Sequence, residues 1–390
     1  HSTSSAASDV YKRQVEKSDC GLTVLQTSGD AVKTILFCEE QFLKGKNVRP
    51  QFPGRNVGMM FGLESSLHPF IGHPSYREIA DLPLSERVKI MKDPAFKEKL
   101  LNEKPNFASE IEKSMNEQGN TKSQEEIKEA ANLGLKLISN YDTQFILGDP
   151  PNYEPGKEDS IAALAKSKGI AELEVIYDEF LKNEGTNLVY ACFTPYDNHK
   201  LDFVERAYSL KSSVAGGSDG GAHCGLICDA SMPTTNLSHW ARDREAGKKI
   251  PIELIVRKQT KDTAETYGLF DRGEIKTGML ADLNIIDFEK LNVTHPKMVY
   301  DLPLGGRRLI QTSSGYLATV KSGEVVYEAG EATGVLPGKL IRGKQTCEVK
   351  TEKERVPFID RTLRLMSVKA FKLLWNFRKS SVKTTVVSDD

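Results

Sequence analysis

The feature that most constrains the fold is an alternation of short apolar runs with amphipathic segments, which starts at Gly21. Leu22 to Gln26 has the pattern of a strand, Asp30 to Leu43 that of a helix, and Val48 to Phe52 that of a second strand. Strands that alternate with helices are typical of βα units and a parallel sheet. The chain is therefore predicted to have an α/β fold.

The same alternation continues after residue 143. Further strands are predicted at Gln144 to Leu147, Asn187 to Phe193 and Ser213 to Ser218. Further helices are predicted at Ser160 to Lys166, Ala171 to Lys182, Leu201 to Leu210, Pro233 to Ala246 and Pro251 to Tyr267. No internal repeat is visible, so one extended α/β domain is expected here.

The stretch from about 84 to 140 interrupts this alternation and is rich in Lys and Glu. It has helical spacing in SERVKIMKDPAFKEKLL and again in SQEEIKEAANLGLKLI, and Ser85 is a candidate cap for the first helix. We predict a helical insertion whose charges lie on solvated helix faces.

After Gly273 short β runs are separated by Gly and Asp turns, which predicts a small β domain over 276–343. The remainder, 344–390, is a basic tail. Its apolar residues between Ile359 and Phe377 recur every three or four positions, as in an amphipathic helix. Such a helix docks on its own protein or binds an anionic membrane surface, and we favour docking.

The composition limits the classes of binding partner and the cellular compartment that are expected for this protein. The net charge of -1 gives no reason to expect nucleic acid, and no run of 18 apolar residues predicts a transmembrane helix. The six cysteines have no framework spacing, so we expect reduced, mostly buried thiols and a cytoplasmic protein. Nothing in the sequence indicates an oligomeric state.

The first 14 residues, HSTSSAASDVYKRQ, form a polar string without an apolar period. We interpret them as a non-native, adaptor-like segment and exclude them from the fold prediction. On this interpretation the natural chain has been cut upstream of Val15.

The strongest local signal is AGGSDGGAHCG at 215–225, where an apolar strand ends in Ser218-Asp219 and a glycine-rich turn follows. In a β/α barrel the active site lies at the carboxyl ends of the strands, so Asp219 is a catalytic candidate. An aspartate in this position can ligate zinc and accept a proton from metal-bound water. Taken alone, S-D-G-G is more often a simple turn.

Longer strings point to a family. RPQFPGRNVGMMFGLESSLHPF, SDGGAHCGLICDASMPTTNLSHWARDR and RKQTKDTAETYGLFDRGEIKTGMLADLNIIDFEKL resemble the D-aminoacylase-like branch of the amidohydrolase superfamily. The resemblance covers roughly Gly21 to Gly343 and includes HPSYREIADLPLSERV and the segment that starts at DLPLGGRRL.

The resemblance implies a TIM β/α barrel over 15–275, present only in part, followed by a portion of a β-sandwich over 276–343. It also implies one or two divalent ions, usually zinc, and hydrolysis of a C–N bond in a small N-acylated amine or amino acid, as in N-acyl-D-amino-acid deacylases. Asp219 would be the aspartate of the last barrel strand, serving as metal ligand and general base.

Four other residues are candidates for substrate binding. His223 lies in the same glycine turn as Asp219, and Arg242 follows it with a side chain suited to a carboxylate. Glu64 and His68 follow the strand-like VGMMFG. For each of them a structural role is the alternative: a loop hydrogen bond, a surface ion pair or packing.

The sequence departs from the family at the metal ligands. None of its seven histidines has another histidine two residues away, so the H-x-H pair is absent, and only about five strands resemble barrel strands. Truncation explains both, and we expect this chain alone to be inactive. The alternative is a non-catalytic, barrel-derived binding protein or subunit without the metal site.

Overall fold

The computed structural model describes residues 22–25, 31–107, 123–194, 196, 199–218 and 224–343. The predictions for 1–14, for the basic tail 344–390, and for Asp219 and His223 lie outside these residues. In the described part, no helix has the length and apolar character needed to cross a membrane.

The helices follow the sequence patterns closely. They are α1 Ala31–Leu43, α2 Pro74–Ile79, α3 Leu84–Met91, α4 Pro94–Asn102, α5 Gln124–Ile138, α6 Ile161–Lys168, α7 Glu172–Phe180, α8 Asp202–Ser209, α9 Met232–Thr235, α10 Ile252–Gln259 and α11 Lys261–Thr266. A π-helical segment, Asn236–Asp243, continues α9 without a break.

The strands fall into an α/β part and a C-terminal β part. The first part has β1 Leu22–Leu25, β2 Val48–Pro53, β3 Val57–Phe61, β4 Gln144–Ile146, β5 Val189–Thr194 and β6 Val214–Gly216. The second has β7 Leu283–Ile286, β8 Asn292–Val293, β9 Lys297–Leu302, β10 Gly306–Ile310, β11 Ser313–Ser314, β12 Tyr316–Lys321, β13 Glu324–Glu328 and β14 Glu331–Ala332.

The parallel sheet has the order β1-β2-β6. Strand β1 pairs with β2 and β2 pairs with β6, with Pro53 opposite Gly216 at the carboxyl ends. Helix α1 packs on β2, and Ile35 and Phe52 are fully buried in the core between them. This confirms the predicted βα pattern at the start of the chain and for Ser213 to Ser218.

The prediction of a parallel arrangement is wrong for the strands at 144 and 187. Strands β4 and β5 form a separate antiparallel sheet with β3, in the order β3-β5-β4. An apolar run of this length does not reveal the direction of its partner, because both kinds of sheet accept it. The described strands of the α/β part thus form two three-stranded sheets, and these do not close into a barrel.

The antiparallel sheet separates two apolar cores. Along β5, Val189 and Ala191 face one core, and Tyr190 and Cys192 face the other, as the two-residue period of a strand requires. The first of these cores lies under the helices of the charged insertion, and the second also receives the parallel sheet.

The helices predicted between about 84 and 140 are present as α3, α4 and α5, and residues 108–122 lie outside the described part. That they form an insertion into a barrel stays a prediction. The predicted cap Ser85 is wrong, because α3 begins at Leu84 after Pro83 and no side chain caps it. Helix α5 does have a capping box, in which Ser123 and Glu126 each bind the other's backbone N–H.

The C-terminal part is all β, as predicted. Its largest sheet has four strands in the order β14-β13-β12-β7, all paired antiparallel. The β9–β10 hairpin lies between β7 and β12 in the sequence. It contacts the α/β part, because the Leu309 N–H donates to the Cys224 carbonyl at 2.7 Å.

Candidate functional site

The carboxyl end of β6 leads directly into the glycine-rich motif. Gly217 has φ of +87°, which favours glycine, and a Cβ there would also lie 3.2 Å from Met232 Sδ. The exposed Ser218 follows, and then come residues 219–223, outside the described part. The predicted catalytic Asp219 therefore follows from the carboxyl edge of the parallel sheet, where α/β proteins place their sites.

The carboxyl end of β2 lies beside that of β6 and is fixed by the π-helical segment. The Trp240 indole Nε1–H donates to the Gly54 carbonyl at 2.6 Å. A Cβ on Gly54 would lie only 1.5 Å from Asn236 Oδ1, so the segment and the strand end are in direct contact.

Arg55, the next residue, is the centre of a buried polar cluster. Its Nη2 donates to the Cys228 carbonyl at 2.8 Å and to Asp229 Oδ1 at 3.1 Å, and its Nη1 donates to Ser231 and Thr235. The guanidinium lies 3.7 Å from the centre of the Tyr153 ring. Arg55 thereby ties the end of β2 to the segment that follows the glycine-rich motif.

A second buried cluster surrounds Glu154. Its carboxylate accepts hydrogen bonds from Arg244 Nε and Nη2 at 3.0 Å, and lies 2.7 Å from His239 Nε2. Burial raises the pKa of Glu154, but the bonds from His239 and Arg244 outweigh burial and lower the pKa to about 2. Glu154 is therefore a stable anion that binds the π-helical segment to the loop before α6.

Glu64 lies in the loop after β3 and is half-buried. The Tyr300 hydroxyl donates to Glu64 Oε1 at 2.6 Å, which links this loop to strand β9. Glu64 also lines a cavity of about 230 Å³. The substrate-binding role of Glu64 stays a prediction, and the cavity is a space in which a small ligand could contact it.

His68 follows in the same loop and is 1% exposed. Its Nδ1 accepts the Phe70 N–H at 3.2 Å, so the proton of the neutral ring is on Nε2. Burial, aided by the charges of Arg87 and Arg307, lowers the pKa of His68 to about 3. The structure thus places His68 as a neutral ring between Tyr76 and Phe180, and its substrate-binding role is untested.

Arg242 lies in the π-helical segment and contacts the turn after β7. It donates to the carbonyls of Phe288, Glu289 and Leu291 and to the carboxylate of Asp243. Through these bonds the guanidinium of Arg242 holds the connection between β7 and β8. Its predicted role as a carboxylate ligand also remains a prediction.

The predicted site residues are only partly brought together. Glu64 and His68 share one loop, and that loop touches the segment after His223 through the Ser66 N–H, which donates to the Gly225 carbonyl at 3.1 Å. Arg242 lies against the C-terminal β part instead. Among the described residues, no group of three or more His, Cys, Asp or Glu side chains could hold a metal ion.

Sequence reasoning missed Arg55 and Glu154. Arg55 follows a predicted strand in the string FPGRN, so its position at the carboxyl end of β2 was a usable signal. Glu154 stands in a turn-rich segment, and its partners are 85 and 90 residues away in sequence. No local sequence pattern predicts partners that are so distant in the sequence.

The comparison with protein families supports the resemblance. The profile of the amidohydrolase family matches residues 153–327. This segment, which contains β6, the glycine-rich motif and most of the C-terminal β part, is thus similar to the amidohydrolase family. No curated protein matches the chain.

The similar solved structures come from the branch that the sequence resembles. A D-aminoacylase with a binuclear metal centre is 15% identical, with a TM-score of 0.40, over 85% of this chain and 51% of that chain. An N-acyl-D-glutamate deacylase from Bordetella bronchiseptica, complexed with zinc and a phosphonate inhibitor, is 14% identical, with a TM-score of 0.38, over 88% and 52%. The chain thus spans about half the length of the solved structures it matches.

Proposed function

We propose that the protein to which this chain belongs is a metal-dependent hydrolase of non-peptide amide bonds, similar to N-acyl-D-amino-acid deacylases. The observation that carries the proposal is the match of residues 153–327 to the amidohydrolase family. The substrate would be a small molecule, an N-acylated amine or amino acid.

The location of the motif supports Asp219 as the reacting carboxylate. Strand β6 pairs with β2 in parallel, so the residues after Gly216 leave from the edge at which parallel strands present catalytic groups. Hydrolysis of an amide near neutral pH is accelerated when a positioned base accepts a proton from the attacking water. We assign that role to Asp219, with His223, four residues further along the sequence, as a substrate-binding candidate.

The implied metal, one or two divalent ions such as zinc, is not matched by the described residues. They contain no group of three or more ligating side chains, and Asp219 and His223 lie outside them. We therefore derive no reaction step through a metal. The proposal requires that ligands beyond the described residues complete the site together with Asp219.

The first experiment determines the coding sequence on both sides of this chain by amplifying the ends of the message. The encoded protein is then purified, and its zinc content and its hydrolysis of N-acetyl-D- and N-acetyl-L-amino acids are measured. We expect an H-x-H pair, bound zinc and amide hydrolysis.

The matched variants are Asp219→Asn and Asp301→Asn. Asp219→Asn should lose activity by roughly 10²–10⁴-fold, the usual contribution of a positioned base. Asp301 forms an exposed ion pair with Arg308, so its variant should retain activity. A protein without zinc, whose binding of small molecules is indifferent to Asp219→Asn, would instead be the non-catalytic binding protein of the alternative hypothesis.

A further inference from the structure

The 230 Å³ cavity lies between the α/β part and the β9–β10 hairpin. It is lined by the loop after β3, by the turn before β5 and by β9 and β10. Its volume corresponds to roughly seven water molecules at about 30 Å³ each. A group of a few heavy atoms, such as a short carboxylic acid, therefore fits.

The wall of the cavity adjoins the segment that leaves the glycine-rich motif. Leu309, which lines the cavity, donates its N–H to the Cys224 carbonyl, and the neighbouring Ser66 donates to the Gly225 carbonyl. The Met60 N–H donates to the Leu226 carbonyl at 2.7 Å. The residues directly after His223 are thus held against the cavity.

One buried polar group of the lining has no partner. Ser65 is 5% exposed, and its Oγ has no hydrogen-bond partner among the described residues. A buried hydroxyl without a partner is destabilising, so it is a group that a small polar ligand in the neighbouring cavity would satisfy. His295, also in the lining, donates its Nδ1–H to the Pro296 carbonyl at 2.8 Å.

The charge around the cavity favours an anion. Lys297 lines it, and the buried Arg87 donates from Nη1 to the carbonyl of the lining Leu63 at 2.6 Å. Burial and the Glu64 carboxylate raise the pKa of Tyr300, while the charges of Arg307 and Arg87 act against them. Glu64 is the opposing carboxylate, and the Tyr300 hydroxyl already donates to it.

From these observations we infer that the cavity between the Glu64 loop and the β9–β10 hairpin binds the carboxylate of a small N-acylated amino acid. Lys297 attracts the carboxylate, Ser65 donates a hydrogen bond, and Leu63, Leu188, Met298 and Leu309 surround the carbon chain. The assignment of the ligand as substrate rests on the proposed function, whereas the cavity and its charge do not.

The test measures binding of N-acetylglycine and of uncharged N-acetylglycinamide to the full chain by ligand-observed NMR titration in the presence of EDTA. N-acetylglycine should bind about tenfold more tightly, as expected for a hydrogen bond or ion pair to a charged group. Lys297→Ala should remove this preference, because it should weaken the binding of N-acetylglycine and leave the binding of N-acetylglycinamide unchanged. Lys136→Ala, an exposed lysine on α5 away from the cavity, is the matched control.

A second variant blocks the cavity without touching its charge. Thr186 is exposed at the rim, so Thr186→Trp should fold and should abolish binding of both probes. Equal binding of the two probes, or binding unchanged by Thr186→Trp, would overturn the inference. Because EDTA removes any metal, carboxylate-selective binding without amide hydrolysis by the complete protein would retain the cavity and reject the proposed function.

Discussion

The Arg55 guanidinium and the Asp229 carboxylate form an ion pair, Nη2 to Oδ1 at 3.1 Å, with both side chains buried. The pair joins the carboxyl end of β2 to the segment between the glycine-rich motif and α9. Removing one partner of a buried ion pair is strongly destabilising and costs far more than the pair itself contributes.

Arg55→Ala is therefore expected to lower the free energy of unfolding by about 3–5 kcal/mol, measured by urea denaturation. The control is Arg308→Ala, which removes an exposed ion pair with Asp301 and should leave the free energy of unfolding nearly unchanged. Equal effects of the two substitutions would show that the buried cluster does not hold the strand end.

His68 makes stability depend on pH. The ring is buried and neutral, and its pKa of about 3 lies below the ordinary value of 6.5. The unfolded chain therefore binds a proton more readily than the folded chain between these two values. The stability from the neutral ring is complete above pH 6.5 and is lost progressively as the pH falls toward 3.

His68→Gln keeps a hydrogen-bond acceptor near the Phe70 N–H and removes the titration. Each pH unit below 6.5 costs the wild type about 1.4 kcal/mol, so the wild type should lose about 2 kcal/mol more than the variant between pH 6.5 and 5. Urea denaturation at several pH values measures this difference. Parallel profiles for the two proteins would contradict the buried, neutral state of His68.

Glu154 acts in a lower pH range. Its folded-state pKa of about 2 lies below the ordinary 4.5, because the bonds from His239 and Arg244 exceed the effect of burial. The stability that its charge contributes is present above pH 4.5 and disappears as the pH falls from 4.5 toward 2.

Glu154→Gln should cost about 3–5 kcal/mol at pH 7, since Arg244 loses its buried partner, and the cost should shrink as the pH falls toward 2. Glu253→Gln, an exposed position on α10, is the control and should be nearly neutral. A cost of Glu154→Gln that did not change with pH would mean that packing, and not the charge, is responsible.

The sequence predicts elements better than it predicts their partners. The period of apolar residues located α1, β2 and β6, because a helix or strand must bury one face regardless of the rest of the chain. It did not predict that β4 and β5 pair antiparallel with β3, since direction depends on segments more than 40 residues apart.

The candidate site shows the same division. Asp219 was selected from the glycines that adjoin it in sequence and stays a prediction, while Arg55 and Glu154 owe their importance to burial and to distant partners. His68 and Arg242 were selected for their chemistry, yet the contacts that surround them are made with the protein itself. The type of a residue indicates which interactions its side chain can make. Its burial and its contacts within the protein determine whether the side chain is available to a ligand.

Two glycines of the described part offer a direct test of the packing at the end of β2. A Cβ on Gly54 would overlap the buried Asn236 side chain, whereas a Cβ on Gly134, inside α5, would meet nothing within 4 Å. Gly54→Ala must push the π-helical segment away from the strand end and should cost about 1–3 kcal/mol. Gly134→Ala should instead stabilise the protein by about 0.5–1 kcal/mol, because alanine loses less entropy in a helix interior.

Urea denaturation of both variants measures the two opposite changes in the free energy of unfolding in one experiment. If Gly54→Ala were as stable as the wild type, the π-helical segment would not rest on β2, and the buried contact between Trp240 and the Gly54 carbonyl would lose its support.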